Sequence, residues 1–360
     1  MTEQCRQVDF TGQVVCIGID VGNRRWDVRA MVDEVMCRRF SQAPDPNALV
    51  RYLHRQYPGA RYRCVYEAGY CGFWIHDRLR ALGVECMVIN PADVPTSDKE
   101  RTHKSNRVDA GKLTRNLYHG TLRGIYVPAR SSLEDRTLVR MRTMFVRKQT
   151  RCKNQIKALL QYYGHHGPTG EREQYWSRAY IRWIEGVVME RPAGQEALQT
   201  LLGELTFLRN QILQLTQQIR ALAKQSHYDA NVQVLCSVPG ISVLTAMVLL
   251  TELVDIARFR SPDQLASFVG LVPGEHSTGE ERDDTGLTHR RNPYLRYLMI
   301  EAAWTAIRTD PALTLAFVTL SKRMKKTEAI VRIARKLTNR ARFVLKTGQP
   351  YVPGTVAGSV

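Results

Sequence analysis

VVCIGID, residues 14–20, is a short apolar run that ends on an aspartate, and such a run is typical of a buried strand. The pattern returns in YRCVYE (62–67) and VECMVIN (84–90), while RWDVRAMV and EVMCRRF read as an antiparallel pair with a turn near Asp33. Helices are expected over residues 46–57, 71–82 and 109–118. This order of elements predicts a mixed α/β sheet with helices on its faces in residues 1–125.

The rest of the chain changes character and reads as helical. A heptad seam of apolar residues runs through the middle region: Leu198, Leu201, Leu205, Leu208, Ile212, Leu215, Ile219 and Leu222. So regular a seam needs a facing partner, which a helix inside one bundle, a helical hairpin or a coiled coil between subunits would each provide. We therefore expect a helical coiled-coil region over residues 126–228 and a helix-rich C-terminal domain over residues 229–360.

The charge of the chain points to a polyanionic partner. The 360 residues include 52 Lys and Arg against 34 Asp and Glu, a formal net charge of +18. Each phosphate that a basic side chain neutralises releases a condensed counterion, so such an excess favours binding to nucleic acid. The charge is also clustered, with eight basic and no acidic residues over 136–157 and ten basic residues with one acid over 322–346. Clustering favours a nucleic-acid surface over a generally basic protein.

Other features of the sequence bear on location. No apolar run approaches the roughly 20 residues of a membrane-spanning helix, and the N-terminus lacks the regions of a signal peptide. The eight cysteines are scattered without a CxxC pair, which is typical of reduced thiols rather than zinc ligands or disulfides. The expectation is a cytoplasmic protein with no membrane partner.

Three acidic residues stand where a sheet would bring them together. Asp20 ends the first apolar run, Glu67 ends the second, and Asp109 lies where a helix begins. Asp20 alone could begin a turn, and Asp109 alone could cap a helix. Carboxylates at the ends of neighbouring strands, however, converge on one sheet edge, where two Mg²⁺ ions would stabilise the attacking and leaving oxygens of phosphodiester transfer.

IGIDVG, VYEAGYCG and KSNRVDAGKL, in this order and spacing, resemble the RuvC-like (RNase H-like) domain of DEDD transposases of the insertion sequence 110 family, relatives of the Piv DNA invertases. LEDRTLVRMR, PGISVLTAMVLLTEL, FVGLVPGEHSTGE and NPYLRYLMIEAAW extend the resemblance over nearly the whole chain. It implies a RuvC-like catalytic domain at 1–125 and a transposase domain at 229–360, joined by the coiled-coil region.

The resemblance assigns roles to the acidic residues. Asp20 matches the first acid of the family, Glu67 the second and Asp109 the fourth. The third acid lies three residues before the fourth, where this sequence has Asn106, whose amide offers a metal an oxygen but no charge. The implied cofactor is Mg²⁺, with these four residues as its candidate ligands. Whether asparagine at this position leaves the site active does not follow from the sequence.

EHSTGEERDDTG (275–286) has the composition of a polar loop. The resemblance implies more, because in the family a serine of the C-terminal domain attacks the scissile phosphate and becomes covalently linked to DNA. The family residue directly precedes a glycine, the position of Thr278, while Ser277 lies one place earlier, where related members often have serine. We prefer Ser277 because a primary hydroxyl is less hindered, and Thr278 is the alternative.

Two further features are candidates for nucleic-acid contact. VPGISVLTAMVLL (238–250) resembles a helix-hairpin-helix, although Ser242 replaces its usual second glycine and a simple helix–helix turn explains the pattern equally well. The basic clusters supply phosphate contacts or merely a solvated face. Their candidate residues are Arg136, Arg140, Arg147, Lys148, Arg151, Lys153, Arg332, Arg335, Lys336, Arg340 and Arg342. Tyr294 and Arg296 are assigned a supporting role beside the hydroxyl-bearing segment.

Together these features predict a transposase or site-specific recombinase that cuts and rejoins DNA. The resemblance adds a structured bridge RNA that chooses donor and target DNA by base pairing, and a homodimer or homotetramer. One alternative is a junction-resolving nuclease that hydrolyses DNA without a covalent link. The other, which Asn106 supports, is a catalytically degenerate nucleic-acid-binding regulator. Target sequences, the identity of the RNA, and the choice among insertion, excision and inversion do not follow from the sequence.

Overall fold

The run at residues 14–20 forms the central strand of a mixed sheet. The computed structural model describes residues 8–95, 106–167, 176–278 and 281–353. The chain forms two compact units, Met1–Val127 and Pro128–Val360, and each is described by itself. The further division of the second unit at residues 228/229 stays a prediction.

The sheet of the first unit has six strands. They are β1 (Val14–Val21), β2 (Trp26–Val32), β3 (Val35–Met36), β4 (Phe40–Gln42), β5 (Arg61–Glu67) and β6 (Glu85–Ile89). Their order is β3-β2-β1-β5-β6, with β4 also paired to β2. β2 runs antiparallel to β1, whereas β5 and β6 run parallel to it. The predicted mixed sheet is thereby confirmed.

The turn between β2 and β3 lies where the sequence predicted it, since Asp33 and Glu34 both have positive φ, as a tight hairpin requires. The strand predicted for EVMCRRF is instead divided into β3 and β4. The helices of this unit are α1 (Pro46–Gln56), α2 (Trp74–Ala81) and α3 (Asn106–Tyr118). α2 begins three residues later than predicted, because Gly69–Gly72 closes a turn in which Gly72 has a φ of 58°.

Gly18 allows α3 to pack directly on β1. A Cβ atom at this position would collide with the backbone carbonyl oxygen of Ala110 and with Thr114. The Thr114 hydroxyl instead accepts a hydrogen bond from the Gly18 N–H at 3.0 Å and donates one to the Ala110 carbonyl at 2.7 Å. Gly18 lies two residues before Asp20 in β1. The contact therefore holds the first turns of α3 against this part of the strand and places Asp109 near the carboxyl end of β1.

The second unit is mostly helical. Its elements are α4 (Arg130–Tyr162), α5 (Arg178–Glu185), α6 (Pro192–Leu222), α7 (Asp229–Cys236), α8 (Val243–Leu253), α9 (Pro262–Val269), β7 (Pro273–Thr278), β8 (Glu281–Leu287), α10 (Pro293–Ala306), α11 (Pro311–Ser321) and α12 (Lys326–Thr347). The main core of the unit packs the ends of α4 and α6 against α7–α12. Among the described residues no helix is both long and apolar enough to cross a membrane.

The apolar seam of α6 finds a partner within the same chain. α4 and α6 pack antiparallel, because Arg142 of α4 contacts Thr216 while Cys152, further along α4, contacts the carbonyl of Leu201. The buried positions of α6 are Leu198, Leu202, Leu205, Leu208, Leu215, Ile219 and Leu222. The helical hairpin is therefore the alternative that the fold realises. A coiled coil between subunits stays a prediction.

Candidate functional site

Three carboxylates line one cavity at the edge of the sheet in the first unit. Asp20 is the penultimate residue of β1 and Glu67 is the last residue of β5, and these strands are parallel neighbours. Asp109 lies in the first turn of α3, and this helix packs closely on β1 because Gly18 has no side chain. The cavity measures about 170 Å³ and is lined by Ile19, Asp20, Val21, Glu67, Ala68, Gly69, Tyr70, Cys71, Asp109 and Leu113.

The segment after β5 forms one wall of this cavity. The backbone N–H of Ala68 donates to the Ile89 carbonyl at 2.7 Å, which continues the pairing of β5 and β6 past Glu67. Beyond it, the Tyr70 hydroxyl donates to the carbonyl of Val21 at 3.1 Å, tying the segment to the end of β1. Because both ends are fixed to the sheet, the wall keeps Glu67 beside Asp20.

The surroundings of Asp20 are unfavourable for its negative charge. Burial raises the pKa of Asp20, and the negative charges of Asp109 and Asp27 raise it further, while Arg39 opposes the shift. Two or three carboxylates that repel one another in a cavity are a donor set suited to a hard cation such as Mg²⁺. Among the residues that the structure describes, however, no three His, Cys, Asp or Glu side chains converge closely enough to hold an ion. The donor chemistry fits a divalent metal, whereas coordination distances are not formed.

Asn106, the candidate ligand in place of an acid, opens α3. Its side chain lies outside the described residues.

Asp27 is a charged residue of this site that sequence reasoning missed. It lies directly opposite Asp20 in the β1–β2 register and is only 4% exposed. Its carboxylate pairs with Arg39 at 2.7 Å and Arg25 at 3.6 Å, and accepts a hydrogen bond from Ser41 at 2.5 Å. Burial disfavours the charge, but the hydrogen bonds from Ser41 and Arg39 outweigh it and lower the pKa of Asp27. An aspartate inside the apolar strand WDVRAMV was the signal that could have revealed it.

The hydroxyl candidates lie on a β-ribbon in the second unit, where composition alone predicted a loop. β7 and β8 pair antiparallel, with Ser277 opposite Arg282 and Thr278 opposite Glu281. Alternating polar residues can form such a ribbon without burying either face, so composition did not distinguish it from a loop. Residues 279 and 280 lie outside the described residues, as do the side chains of 275–285.

The base of the ribbon is held by hydrogen bonds that involve Arg296. The backbone N–H of Thr288, the residue after β8, donates to the Val272 carbonyl at 3.1 Å. The Arg296 guanidinium donates to the Thr288 carbonyl. Gly270 ends α9 with a φ of 87°, and a Cβ there would collide with Arg291 and Arg296. Arg296 therefore holds the chain at the base of the ribbon, and the supporting role in the reaction predicted for it and Tyr294 stays a prediction.

The predicted nucleic-acid contacts divide into two groups. Several basic side chains are engaged within the protein. Arg140 forms a bidentate pair with Glu252 at 2.7 and 2.8 Å, and Arg136 donates to the Thr251 carbonyl at 2.8 Å. Arg340 pairs with the buried Asp310. Further pairs join Arg335 to Asp263 at 2.6 Å and Arg342 to the Phe259 and Arg260 carbonyls.

The second group lies at the surface. Its exposed members are Arg147, Lys148, Arg151, Arg332 and Lys336. Three basic side chains of α4 also approach aromatic rings, with Arg147 over Tyr294 at 5.6 Å, Lys148 over Phe145 at 5.3 Å and the partly buried Lys153 over Trp176 at 5.4 Å. These cations are presented to solvent with part of their side chains held in place, as a phosphate-binding surface requires.

The segment proposed as a helix-hairpin-helix, residues 238–250, forms the turn that follows α7 and most of α8. Gly240 in the turn has a φ of 88°, and a Cβ there would collide with the carbonyl oxygen of Ala302 in α10. Ser242 caps α8 by accepting a hydrogen bond from the Thr245 N–H at 3.2 Å. The glycine is thus explained by packing within the unit, and DNA binding by this turn stays a prediction.

Two family models and several curated proteins match this chain. Residues 17–165 match the DEDD transposase model of the IS110 group, and residues 232–318 match that of the transposase IS116/IS110/IS902 family. The putative transposase y4qE of Sinorhizobium fredii is 35% identical over 240 residues, which cover 67% of this chain and 57% of that protein. The probable family 20 transposase of Pseudomonas aeruginosa is 30% identical over 304 residues, 81% of this chain and 84% of the relative. The transposase of insertion sequence element IS1111A from Coxiella burnetii is 29% identical over 227 residues, 63% of this chain and 61% of the relative.

Both matched segments contain a candidate site described above, the carboxylate cavity in the first and the β-ribbon in the second. The P. aeruginosa relative spans both segments at 30% identity. The chain therefore belongs to the IS110 family of transposases.

Proposed function

We propose that this protein cuts and rejoins DNA strands through a covalent protein–DNA intermediate, with a divalent metal at its carboxylates and a hydroxyl nucleophile on its β-ribbon. The observation that carries the proposal is the cavity at the carboxyl ends of β1 and β5, which Asp20, Glu67 and Asp109 all line. Burial and the negative charges of Asp109 and Asp27 disfavour the charged form of Asp20. A cation bound in the cavity would favour that charged form.

The proposed reaction conserves the energy of the phosphodiester bond. In the first step the hydroxyl oxygen of Ser277 bonds to the scissile phosphorus, the bond from phosphorus to one strand end breaks, the hydroxyl proton is released and the leaving oxygen gains a proton. In the second step a hydroxyl of another strand end attacks the same phosphorus and restores the serine. When bound, Mg²⁺ supplies charge stabilisation to the oxygens of the phosphoryl group.

The chain's own residues divide this work. Asp20, Glu67 and Asp109 would hold a divalent cation, and Asn106 would offer it a neutral oxygen. Ser277 and Thr278 are adjacent in β7 and are alternatives, of which one serves as nucleophile.

The proposed partners are DNA, a structured guide RNA that selects it, and further copies of this chain in a homodimer or homotetramer. The net charge of +18 and the exposed cations Arg147, Lys148 and Arg151 support a polyanionic partner. A charge pattern of this kind recognises the backbone and shape of a nucleic acid, which suits structured RNA as well as DNA.

A covalent-trapping experiment tests the proposal. Protein, RNA transcribed from its flanking DNA, labelled DNA and Mg²⁺ are combined and separated on a denaturing gel. We expect a protein–DNA adduct that Ser277→Ala or Thr278→Ala abolishes, and that Glu67→Gln also abolishes. Glu85→Gln is the matched control, because Glu85 begins β6 at the opposite edge of the sheet and pairs only with Arg63 at 3.3 Å in the described structure.

Two other outcomes would replace the proposal. Strand cleavage without an adduct, unchanged in both hydroxyl variants, would identify a nuclease that uses water. An adduct formed only by Asn106→Asp would identify the natural chain as a disarmed relative that binds nucleic acid.

A further inference from the structure

A second cavity opens at the edge of the sheet where β1 turns into β2. It measures about 340 Å³ and is lined by Arg25, Arg39, Phe40 and Ser41. Arg25 is placed by a tight turn, in which the Gly22 N–H donates to the Arg25 carbonyl at 3.1 Å directly after Asp20 and Val21. The cavity thus begins within a few residues of the carboxylate site, although it is lined by cations.

The buried carboxylate of Asp27 orients these cations. It takes one contact from each of Arg39, Arg25 and Ser41, at 2.7, 3.6 and 2.5 Å. Two guanidiniums and one carboxylate leave a net charge of +1. The buried carboxylate holds the Arg39 guanidinium through a hydrogen-bonded ion pair at 2.7 Å, whereas Arg25 at 3.6 Å is attracted by charge alone.

The guanidiniums have more donors than Asp27 can satisfy. Each guanidinium has five N–H donors, whereas a carboxylate offers about four acceptor positions. The Nε atom of Arg39 is buried and has no hydrogen-bond partner in the part of the chain that the structure describes. The Arg25 side chain is 65% exposed and lies at the longest of the three distances from Asp27. An incoming anion with several oxygens, such as a phosphodiester, matches these surplus donors.

The position of the cluster identifies which anion it would meet. Asp27 lies directly opposite Asp20 across the β1–β2 pair, where Cα atoms are about 4.5–5.5 Å apart. A DNA strand whose scissile phosphate lies at Asp20 has its next charged phosphate on either side along the backbone. One of these neighbours would lie at the Arg25–Arg39 cavity, and the repulsion between that phosphate and the carboxylates would be screened by the two guanidiniums.

We propose that Arg25 and Arg39 form a phosphate-binding subsite for the DNA strand being cut, which holds a phosphodiester beside the scissile one. The inference rests on the proposed function of the carboxylate cavity and adds the residues that set the register of the strand. Arg25 and Arg39 are positioning residues, and Asp27 is the buried counter-ion that orients them.

Neutral-phosphate scanning tests the subsite. In a series of DNA duplexes a single phosphodiester near the cut is replaced by an uncharged methylphosphonate, and both binding and strand cleavage are measured with the RNA present. For the natural chain, one substituted position next to the cut should weaken binding and slow cleavage about tenfold to a hundredfold, the range of a charge-assisted hydrogen bond. For Arg25→Gln and Arg39→Gln, the same position should have less than a threefold effect.

Two controls separate this result from a loss of structure or of general charge. Arg61→Gln removes an exposed cation at the first residue of β5, on the opposite edge of the sheet, and should leave the interference pattern unchanged. Arg39→Gln disturbs the pairing of a buried carboxylate, but Arg25 is largely exposed and Arg25→Gln should fold normally, as thermal unfolding will verify.

The outcomes distinguish the subsite from the reaction on which it rests. Interference that persists undiminished in both arginine variants, or that appears only with methylphosphonates in the RNA, overturns the subsite. Interference in binding without any cleavage retains the subsite and rejects strand transfer by this chain.

Discussion

Two carboxylates withdrawn from water stand in opposite surroundings in this protein. Glu252 of α8 is 3% exposed, accepts two hydrogen bonds from Arg140 and one from the Asn292 amide at 2.8 Å, and has Arg136 at 4.0 Å. Asp20 of β1 is partly buried and faces Asp109 and Asp27, whose charges raise its pKa after burial has already done so. The negative charge of Glu252 is compensated by neighbouring arginines, whereas the negative charge of Asp20 is opposed by neighbouring carboxylates.

Glu252 and its partners Arg140, Arg136 and Asn292, here called the Glu252 cluster, join several elements of the second unit. Arg140 belongs to α4, while Asn292 is the N-cap of α10 and accepts hydrogen bonds from the backbone N–H groups of Tyr294 and Leu295. Arg296, one turn further along α10, holds the base of the β-ribbon. A satisfied charge therefore links the long helix to the ribbon that presents the hydroxyl candidates. The charge of Asp20 is instead opposed by Asp109 and Asp27, and this difference separates a structural cluster from a candidate catalytic one.

The largest expected effect is on the reaction at the three carboxylates that line the cavity of the first unit. We expect Asp20→Asn, Glu67→Gln or Asp109→Asn to reduce strand cleavage at least about a thousandfold, because metal-assisted charge stabilisation is worth several kcal/mol and each 1.36 kcal/mol is a factor of ten. Single-turnover cleavage of labelled DNA measures the loss. A residual rate within tenfold of the natural chain would show that the cavity is not the catalytic centre.

At Glu252 we expect a substitution to lower stability rather than to slow the reaction. Glu252→Leu should lower the free energy of unfolding by about 3 kcal/mol, near the lower end for a broken buried pair, since Arg140 remains partly hydrated. Denaturant titration measures the change. The double variant Glu252→Leu, Arg140→Met should recover at least half of it, because the uncompensated guanidinium is then gone. No recovery would mean that Glu252 stabilises the unit through something other than this pair.

Parts of the first unit could be predicted from the sequence alone, and other parts could not. The first unit was predictable because VVCIGID, YRCVYE and VECMVIN alternate with helical segments, and because strands that run parallel must bring Asp20 and Glu67 to one edge. The start of α2 was not predictable, because it depends on the turn at Gly69–Gly72. The role of Gly18 was also hidden, because only the folded chain reveals how closely α3 approaches.

The partners of the basic residues could not be predicted from the sequence. Composition treats Arg140 and Arg147 alike, yet one is committed to Glu252, over a hundred residues away in sequence, and the other lies exposed above Tyr294. Such partners are assigned by tertiary packing, which no local pattern encodes. Asp27 was overlooked for the same reason, since Arg39 and Ser41 meet it only when β4 pairs with β2.

A smaller effect is expected when the two kinds of arginine are compared in nucleic-acid binding. Lys148→Gln and Arg151→Gln should each weaken binding and reduce the slope of log affinity against log salt by about 1, because each removes one phosphate contact. Arg340→Gln should leave the slope unchanged and lower the unfolding temperature instead, since its guanidinium pairs with the buried Asp310. Salt titrations of binding to the guide RNA measure the slopes. Equal slopes for all three variants would contradict the division between surface and internal cations.

The smallest expected effect is a gain in stability at the catalytic cavity. Because the pKa of Asp20 is raised above its ordinary 3.8, the folded chain retains this proton at a pH where the unfolded chain has released it. The free energy of unfolding therefore falls as pH rises through that window, and the charged Asp20 destabilises the fold at neutral pH. Asp20→Asn should remove this penalty and stabilise the first unit at pH 7, with no gain below pH 3.8. Thermal unfolding across pH measures the difference.

Added Mg²⁺ should stabilise the natural chain more than the variant, because the cation relieves the same repulsion. A variant that is less stable than the natural chain at neutral pH without metal would show that Asp20 supports the fold, as Glu252 does, and the contrast between the two carboxylates would be lost.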